Sequence, residues 1–165
     1  MRRVHIVGRK NSGKTTLVVD LVTHLSLRGL RIGTIKHTHH RHELDTPGKD
    51  SFRHREAGAS AVGVMSPGMS AVFVPAADTR RDANRYAEMS GMFSDCDLVI
   101  VEGDLTTDAP KIEVWRAALG VPPYAVEHDA IRAVVTDDEA SAPVPIWPRA
   151  DLAAIADGIL ELARD

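Results

Sequence analysis

Gly8-Arg9-Lys10-Asn11-Ser12-Gly13-Lys14-Thr15 is a complete G-x-x-x-x-G-K-[ST] series, a set of residue types suited to gripping a polyphosphate. Gly8 and Gly13 let the main chain curl, so that successive N–H groups along Arg9, Lys10, Asn11 and Ser12 converge on phosphate oxygens at the positive end of the following helix. A bulky residue there would block the approach. Lys14 is expected to reach the β- and γ-phosphates as a point charge, Thr15 to place its hydroxyl on Mg²⁺, and Thr16 to meet the α-phosphate.

A magnesium ion beside a triphosphate calls for a carboxylate at the end of a neighbouring strand. Glu102, which closes the apolar run Leu98-Val99-Ile100-Val101 and precedes Gly103, is one candidate, and Asp45, in the polar segment after the second strand, is another. Either acid could instead simply face water. Lys14 and Asp45 are the residues to which hydrolysis is assigned. With no assured glutamine or dedicated general base in the sequence, turnover is expected to be slow. Arg9 could supply charge to the transition state in its own site or across a dimer interface, or be a solvated side chain. No N-K-x-D series occurs, so the reader of the base stays open. Thr136 and Asp137 follow a predicted strand and could accept from guanine, although turn chemistry accounts for Asp137 equally well.

Two further clusters invite a ligand. His37, His39, His40 and His42 crowd one polar segment and could converge on a metal, contact an anion, or be solvated or packed. Lys49, Arg53, His54 and Arg55 form a local basic patch suited to a second anionic group or an acidic partner surface, with a solvated helix face as the plain alternative. Cys96 precedes an apolar run without an identifiable base and reads as structural.

The elements that must position these residues follow from periodicity. Val4 to Val7 reads as a strand feeding the glycine loop, and Leu17, Val18, Leu21, Val22 and Leu25 share one helical face that ends near Gly29. Arg31 to Lys36 reads as a second strand, completing a βαβ unit. A long polar loop spans His37 to Lys49, and Asp50 to Ala59 reads as a short basic helix. Ala61 to Met65 and Ala71 to Val74 pair as a hairpin through Ser66-Pro67-Gly68. Thr79 to Phe93 reads as helix, with Ala83, Tyr86, Ala87 and Met89 to Phe93 giving apolar contact. Leu98 to Val101 has the pattern of a strand buried on both faces, and is placed centrally. Ile112 to Trp115 and Ala133 to Val135 are further strands, and a last helix begins near Asp151.

These elements predict an α/β fold, the three-layer phosphate-loop NTPase arrangement, with a mostly parallel central sheet flanked by helices and a small β-hairpin. With 165 residues, the chain is expected to be a single domain, 1–165. Its 20 Lys and Arg against 23 Asp and Glu give a net charge of -3, too balanced for a nucleic-acid binder held by bulk electrostatics. The short apolar run before Gly8 is far from a membrane span or signal core, and one cysteine permits no internal disulfide, so a cytoplasmic location is expected.

Four blocks, in order along nearly the whole chain, resemble the MobB family of molybdopterin-guanine dinucleotide biosynthesis. They are Gly8 to Thr16; Gly33 to His40 continuing through Asp45-Thr46-Pro47-Gly48-Lys49-Asp50-Ser51; Arg53-His54-Arg55 with Ala57-Gly58-Ala59; and Asp97 to Gly103 followed by Pro110 to Val114. The resemblance implies a GTP-binding protein with weak, Mg²⁺-dependent GTPase activity. It also implies a homodimer working beside the guanylyltransferase that joins GMP to molybdopterin. On that footing His37, His39, Lys49, Arg53 and Arg55 become candidate contacts for the pterin or its phosphate. The Val101-Glu102-Gly103 ending also resembles dethiobiotin synthetase and its relatives, which implies a magnesium role for Glu102 and Asp45. Arg9-Lys10-Asn11 departs from the small residues common in the middle of the family's loop. Two other classes stay in view: a nickel-carrying metallochaperone GTPase, favoured by the histidines alone, and a small ATP-dependent kinase or ligase.

Overall fold

The structure, a computed structural model, describes residues 1–38, 43–75 and 82–164, and of 82–84 the backbone alone. It contains two compact units, one formed by Met1–Thr38 with Asp82–Asp165 and the other by His39–Arg81. His39, His40 and His42, and the start of the helix expected from Thr79, lie outside the described residues.

The first unit is built on β1 (Arg3–Val7), α1 (Lys14–Leu27) and β2 (Ile32–Lys36), which come before the second unit in the chain. The second unit contributes α2 (Asp50–Glu56), β3 (Val62–Ser66) and β4 (Met69–Phe73). The first unit then resumes with α3 (Asp82–Met89), β5 (Leu98–Glu102), β6 (Lys111–Val114), β7 (Ile131–Val135), β8 (Ile146–Trp147) and α4 (Leu152–Leu162). Its six strands form one sheet in the order β2-β5-β1-β6-β7-β8, every neighbouring pair parallel. β1 and β2 are therefore not neighbours: β5 is inserted between them, pairing Val4 with Ile100 on one side and Thr34 with Ile100 on the other.

β5 lies inside the sheet because its apolar residues serve both faces. Leu98 and Ile100 join Leu17, Leu21 and Leu25 of α1 and Ile155 and Ile159 of α4, whereas Val99 and Val101 pack with Tyr86 of α3. Each fully buried Leu or Ile removes enough apolar surface to contribute about 1.5–3 kcal/mol, so α1 is held mainly by this one stripe. The helix stops as expected: Gly29 takes φ 86°, and the Leu30 amide donates to the Leu25 carbonyl. α4 starts where Asp151 accepts a hydrogen bond from the Ala154 amide at 3.0 Å.

α3 differs in part from the periodic reading. It ends at Met89 and passes into a 3-10 turn at Ser90–Phe93. Tyr86 is buried, but Ala87 and Met92 are exposed. β8 was not anticipated, since two residues carry no period.

In the second unit β3 and β4 pair antiparallel, with Ser66 opposite Met69, and the Ser66 hydroxyl donates to the Met69 carbonyl at 2.9 Å. α2 is shorter than the Asp50 to Ala59 reading, ending where Gly58 takes φ 101°.

Candidate functional site

Because every strand of the first unit runs the same way, the chain leaves β1, β2, β5, β6 and β7 at one edge of the sheet. From β1 the chain crosses over to β2 on one side, and β6 to β8 build outward on the other, so the edge beyond β1 is a topological switch point. The glycine loop occupies that position. Gly8 has φ 143°, Asn11 φ 65° and Gly13 φ 99°, and α1 begins at Gly13 without a side-chain cap, leaving first-turn amides for an anion. Ser12 is buried, and its Oγ has no hydrogen-bond partner among the described residues.

The Lys14 ammonium folds back onto the loop, donating to the Arg9 carbonyl at 2.8 Å. Burial pushes its pKa down, the Glu102 carboxylate opposes that shift, and the Lys36 ammonium adds to it. The Thr15 hydroxyl donates to Glu102 Oε1 at 2.8 Å, and Lys36 Nζ lies 3.4 Å from the same oxygen. β5 pairing sets this up, placing Glu102 level with Ile6 of β1 and Lys36 of β2. Thr15 and Glu102, each expected from the sequence to serve a magnesium ion, lie in direct contact. Thr16 is exposed on the first turn of α1 and Lys10 on the loop.

Arg9, expected from the sequence as a finger or a solvated side chain, is half-buried. Its guanidinium lies 4.3 Å from the centroid of the Tyr124 ring, a cation–π arrangement within its own unit. Tyr124 is fixed in turn by Glu113, which is buried on β6 and accepts from the Tyr124 and Ala125 amides at 2.8 and 2.9 Å. Burial pushes the Glu113 carboxyl above its usual range, the two amides notwithstanding. On the β7 side, Thr136 is buried, its hydroxyl accepting from the Asp138 amide, while Asp137 Oδ1 accepts from the Ala150 amide at 3.0 Å.

The loop after Glu102 is tied down from beneath. Asp104 takes φ 65°, with the Thr106 amide and hydroxyl on one carboxylate oxygen and the Tyr86 hydroxyl on the other. Burial raises its pKa, but these bonds and the nearby His37 outweigh burial and hold the carboxyl below its ordinary value. Lys111, fully buried on β6, donates to the Thr107 and Ala109 carbonyls. His5 Nδ1 donates to the Asp104 carbonyl at 3.2 Å while Nε2 accepts from Arg3 Nε at 3.2 Å, a pattern only the neutral ring satisfies.

Burial accordingly lowers the His5 pKa from 6.5 to about 4. Above pH 6.5 the ring is neutral in folded and unfolded chains alike. Between pH 6.5 and 4 only the unfolded chain takes up the proton, so stability falls as pH falls, by on the order of 3 kcal/mol when complete. Urea unfolding at stepped pH should show that loss in the native sequence and a shallower pH dependence in His5→Gln. Parallel profiles would refute the assignment.

In the second unit, Asp45 Oδ1 accepts from the Thr46 amide and the Ser51 hydroxyl, and its buried Oδ2 has no hydrogen-bond partner among the described residues. Arg55 pairs with Glu43 at 2.7 Å and lies against Phe52, so it is an engaged cation, whereas Lys49 and Arg53 are exposed. His37 belongs to the first unit, where its amide donates to the Glu102 carbonyl at 2.9 Å.

The family model for molybdopterin guanine dinucleotide synthesis protein B, MobB, matches residues 3–137. The chain belongs to the MobB family. It is 34% identical over 151 residues to the molybdopterin-guanine dinucleotide biosynthesis adapter protein of Escherichia coli (strain K12), covering 91% of this chain and 86% of that one. Crystallised MobB of Bacillus subtilis superposes with a TM-score of 0.73 at 25% identity, covering 98% of both chains. The MobB homologue of Bacillus stearothermophilus gives 0.68 at 26%, covering 99% of both. Among the described residues of this MobB-family chain, no helix is long and apolar enough to cross a membrane.

Sequence reasoning singled out neither Glu113 nor Lys111 as a positioning residue, nor Tyr124, Asp104 or Arg116. Lys111-Ile112-Glu113-Val114 has the polar–apolar alternation of a half-exposed strand, yet all four residues are buried. The available signal was that both charged residues sit in a block that also carries the family resemblance.

Proposed function

We propose that this chain is a GTP-binding adapter in molybdopterin-guanine dinucleotide synthesis, the role named for its Escherichia coli relative. The observation that carries the nucleotide reading is the contact of Thr15 with Glu102 at 2.8 Å beside an uncapped helix start and the Lys14 ammonium. Mg²⁺ fits there: the Thr15 hydroxyl and Glu102 carboxylate are hard oxygen donors, and Glu102 Oε1 already has the Lys36 ammonium at 3.4 Å. When bound, the ion would neutralise phosphate charge. The chain's own part is to wrap the phosphates in main-chain N–H groups, to counter them with Lys14, and to hold the ion's ligand at the end of β5.

Thr136 and Asp137 are the proposed guanine side of the site, and exposed Lys49 and Arg53 the proposed contacts for a pterin phosphate. The proposed assembly is a homodimer acting with the guanylyltransferase, with slow GTP hydrolysis as a secondary property.

Calorimetric titration of the intact chain with GTP and ATP, with and without Mg²⁺, tests the reading. GTP should bind about tenfold or more tightly than ATP, and Mg²⁺ should strengthen binding in the native sequence but not in Glu102→Gln. Equal affinities, or a metal effect that survives Glu102→Gln, would reject it. For the adapter role, the chain should raise the yield of dinucleotide from molybdopterin, GTP and the guanylyltransferase; an unchanged yield would remove that part.

A further inference from the structure

Beside the glycine loop, on the β6 and β7 side, lies a cavity of about 350 Å³, within the ~300–1,000 Å³ usual for small-molecule clefts. Its lining includes Ser12, Trp115, Arg116, Thr136, Asp137 and Asp138. The two charged ends of the site are therefore separated by β1. Glu102 and Lys36 stand on the β5 and β2 side, where the terminal phosphate and its metal would sit, and the cavity stands on the opposite side. A nucleotide laid across the loop with its γ-phosphate toward Glu102 brings its nucleoside to this cavity.

Arg116 follows β6 and reaches the start of α1. A methyl group placed on Gly13 would lie 3.1 Å from Arg116 Nη2 and 3.6 Å from its Cζ, so the missing side chain at Gly13 leaves room for the guanidinium. Its charge is unmatched by any described carboxylate, whereas Arg149, lining the same cavity, is paired with Asp20. Each of the neighbouring acids has one carboxylate oxygen on the main chain: Asp138 Oδ2 accepts from the Ala117 amide at 2.7 Å, and Asp137 Oδ1 from the Ala150 amide. Arg116 is thus a planar, unpaired cation on the wall of a cavity of nucleoside size.

We infer that the Arg116 guanidinium stacks on the face of the bound purine and forms one wall of the nucleoside subsite. A planar guanidinium over a purine ring gains both cation–π attraction and stacking, which an ammonium cannot reproduce in full. The phosphates have the N–H nest and Lys14 as partners; Arg116 borders that nest at Gly13 but also lines the cavity, and it is the cavity that assigns it to the base. The inference rests on the nucleotide reading above and adds a residue that neither the motif nor the spacing marked.

The test compares the native chain with Arg116→Ala and Arg116→Lys, each titrated with GTP and with inorganic tripolyphosphate in Mg²⁺. Arg116 is exposed, and thermal melting should show both variants folded. Arg116→Ala should weaken GTP binding about tenfold, Arg116→Lys should restore only a small part of that loss, and tripolyphosphate affinity should stay within about twofold in all three. GTP affinity unchanged in Arg116→Ala would overturn the inference alone. So would equal weakening of both ligands, which would put Arg116 on the phosphates, or full rescue by lysine, which would make it a point charge. A native chain that binds tripolyphosphate but not GTP, or neither, overturns this inference together with the GTP reading.

Discussion

Lys14→Ala is expected to reduce GTP affinity by about 100-fold or more while leaving the fold in place. Among the described residues the ammonium's hydrogen-bond partner is the Arg9 carbonyl, at 2.8 Å, a tie whose loss costs roughly 1 kcal/mol. The side chain is half-buried next to a loop of N–H groups, where a charge-assisted bond to phosphate is worth about 3 kcal/mol or more, and 1.4 kcal/mol corresponds to a factor of ten. Burial lowers its pKa, and Glu102 acts in the opposite direction. Lys14→Arg should rescue poorly, since a fork of five donors does not fit a space shaped for one point charge. Calorimetry alongside urea unfolding separates the two effects. Retained affinity in a folded Lys14→Ala would dismiss the loop as a phosphate grip.

Gly8→Ala is expected to be the most damaging single-methyl change in the loop, lowering stability by about 3 kcal/mol or more and taking nucleotide binding with it. The added carbon would stand 2.4 Å from the Val114 carbonyl oxygen and 2.8 Å from Ser12 Oγ. The first of these is backbone of β6, held in a ladder between β1 and β7, so it has nowhere to retreat. The residue's φ of 143° adds strain for any side chain. Gly13→Ala makes the instructive contrast: φ is 99°, but the nearest neighbour is the flexible end of Arg116 at 3.1 Å, which can swing away. Its stability cost should be smaller, on the order of 1–2 kcal/mol. Denaturant midpoints of the two variants rank them directly, and a Gly8→Ala protein as stable as the native chain would contradict the clash.

The particular residues explain how far the sequence could be followed. The glycine loop, the stripe of α1 from Leu17 to Leu25, the doubly buried β5 and the Asp151 cap are local signals, each written within one or two turns or one short strand. Glu102 was legible because it ends the most apolar run, and a parallel strand that ends beside a phosphate loop brings its last residue to the same edge. By contrast, the burial of Lys111 and Glu113 follows from β6 being flanked by β1 and β7, which no window of sequence contains. Arg9 was open between finger and solvent because its partner, Tyr124, is fixed by Glu113 from a distant strand.

What the amino-acid sequence determined by itself was therefore most of the elements, the glycine loop with Lys14 and Thr15 at its end, and Glu102 as one of two candidate acids, since each depends on neighbours in the chain. Tertiary structure alone decided the strand order with β5 between β1 and β2, the neutral His5 beneath the site, and the placing of Arg116 against Gly13. These are consequences of which surfaces meet when strands far apart in sequence pair, and burial, charge matching and close approach exist only after that pairing.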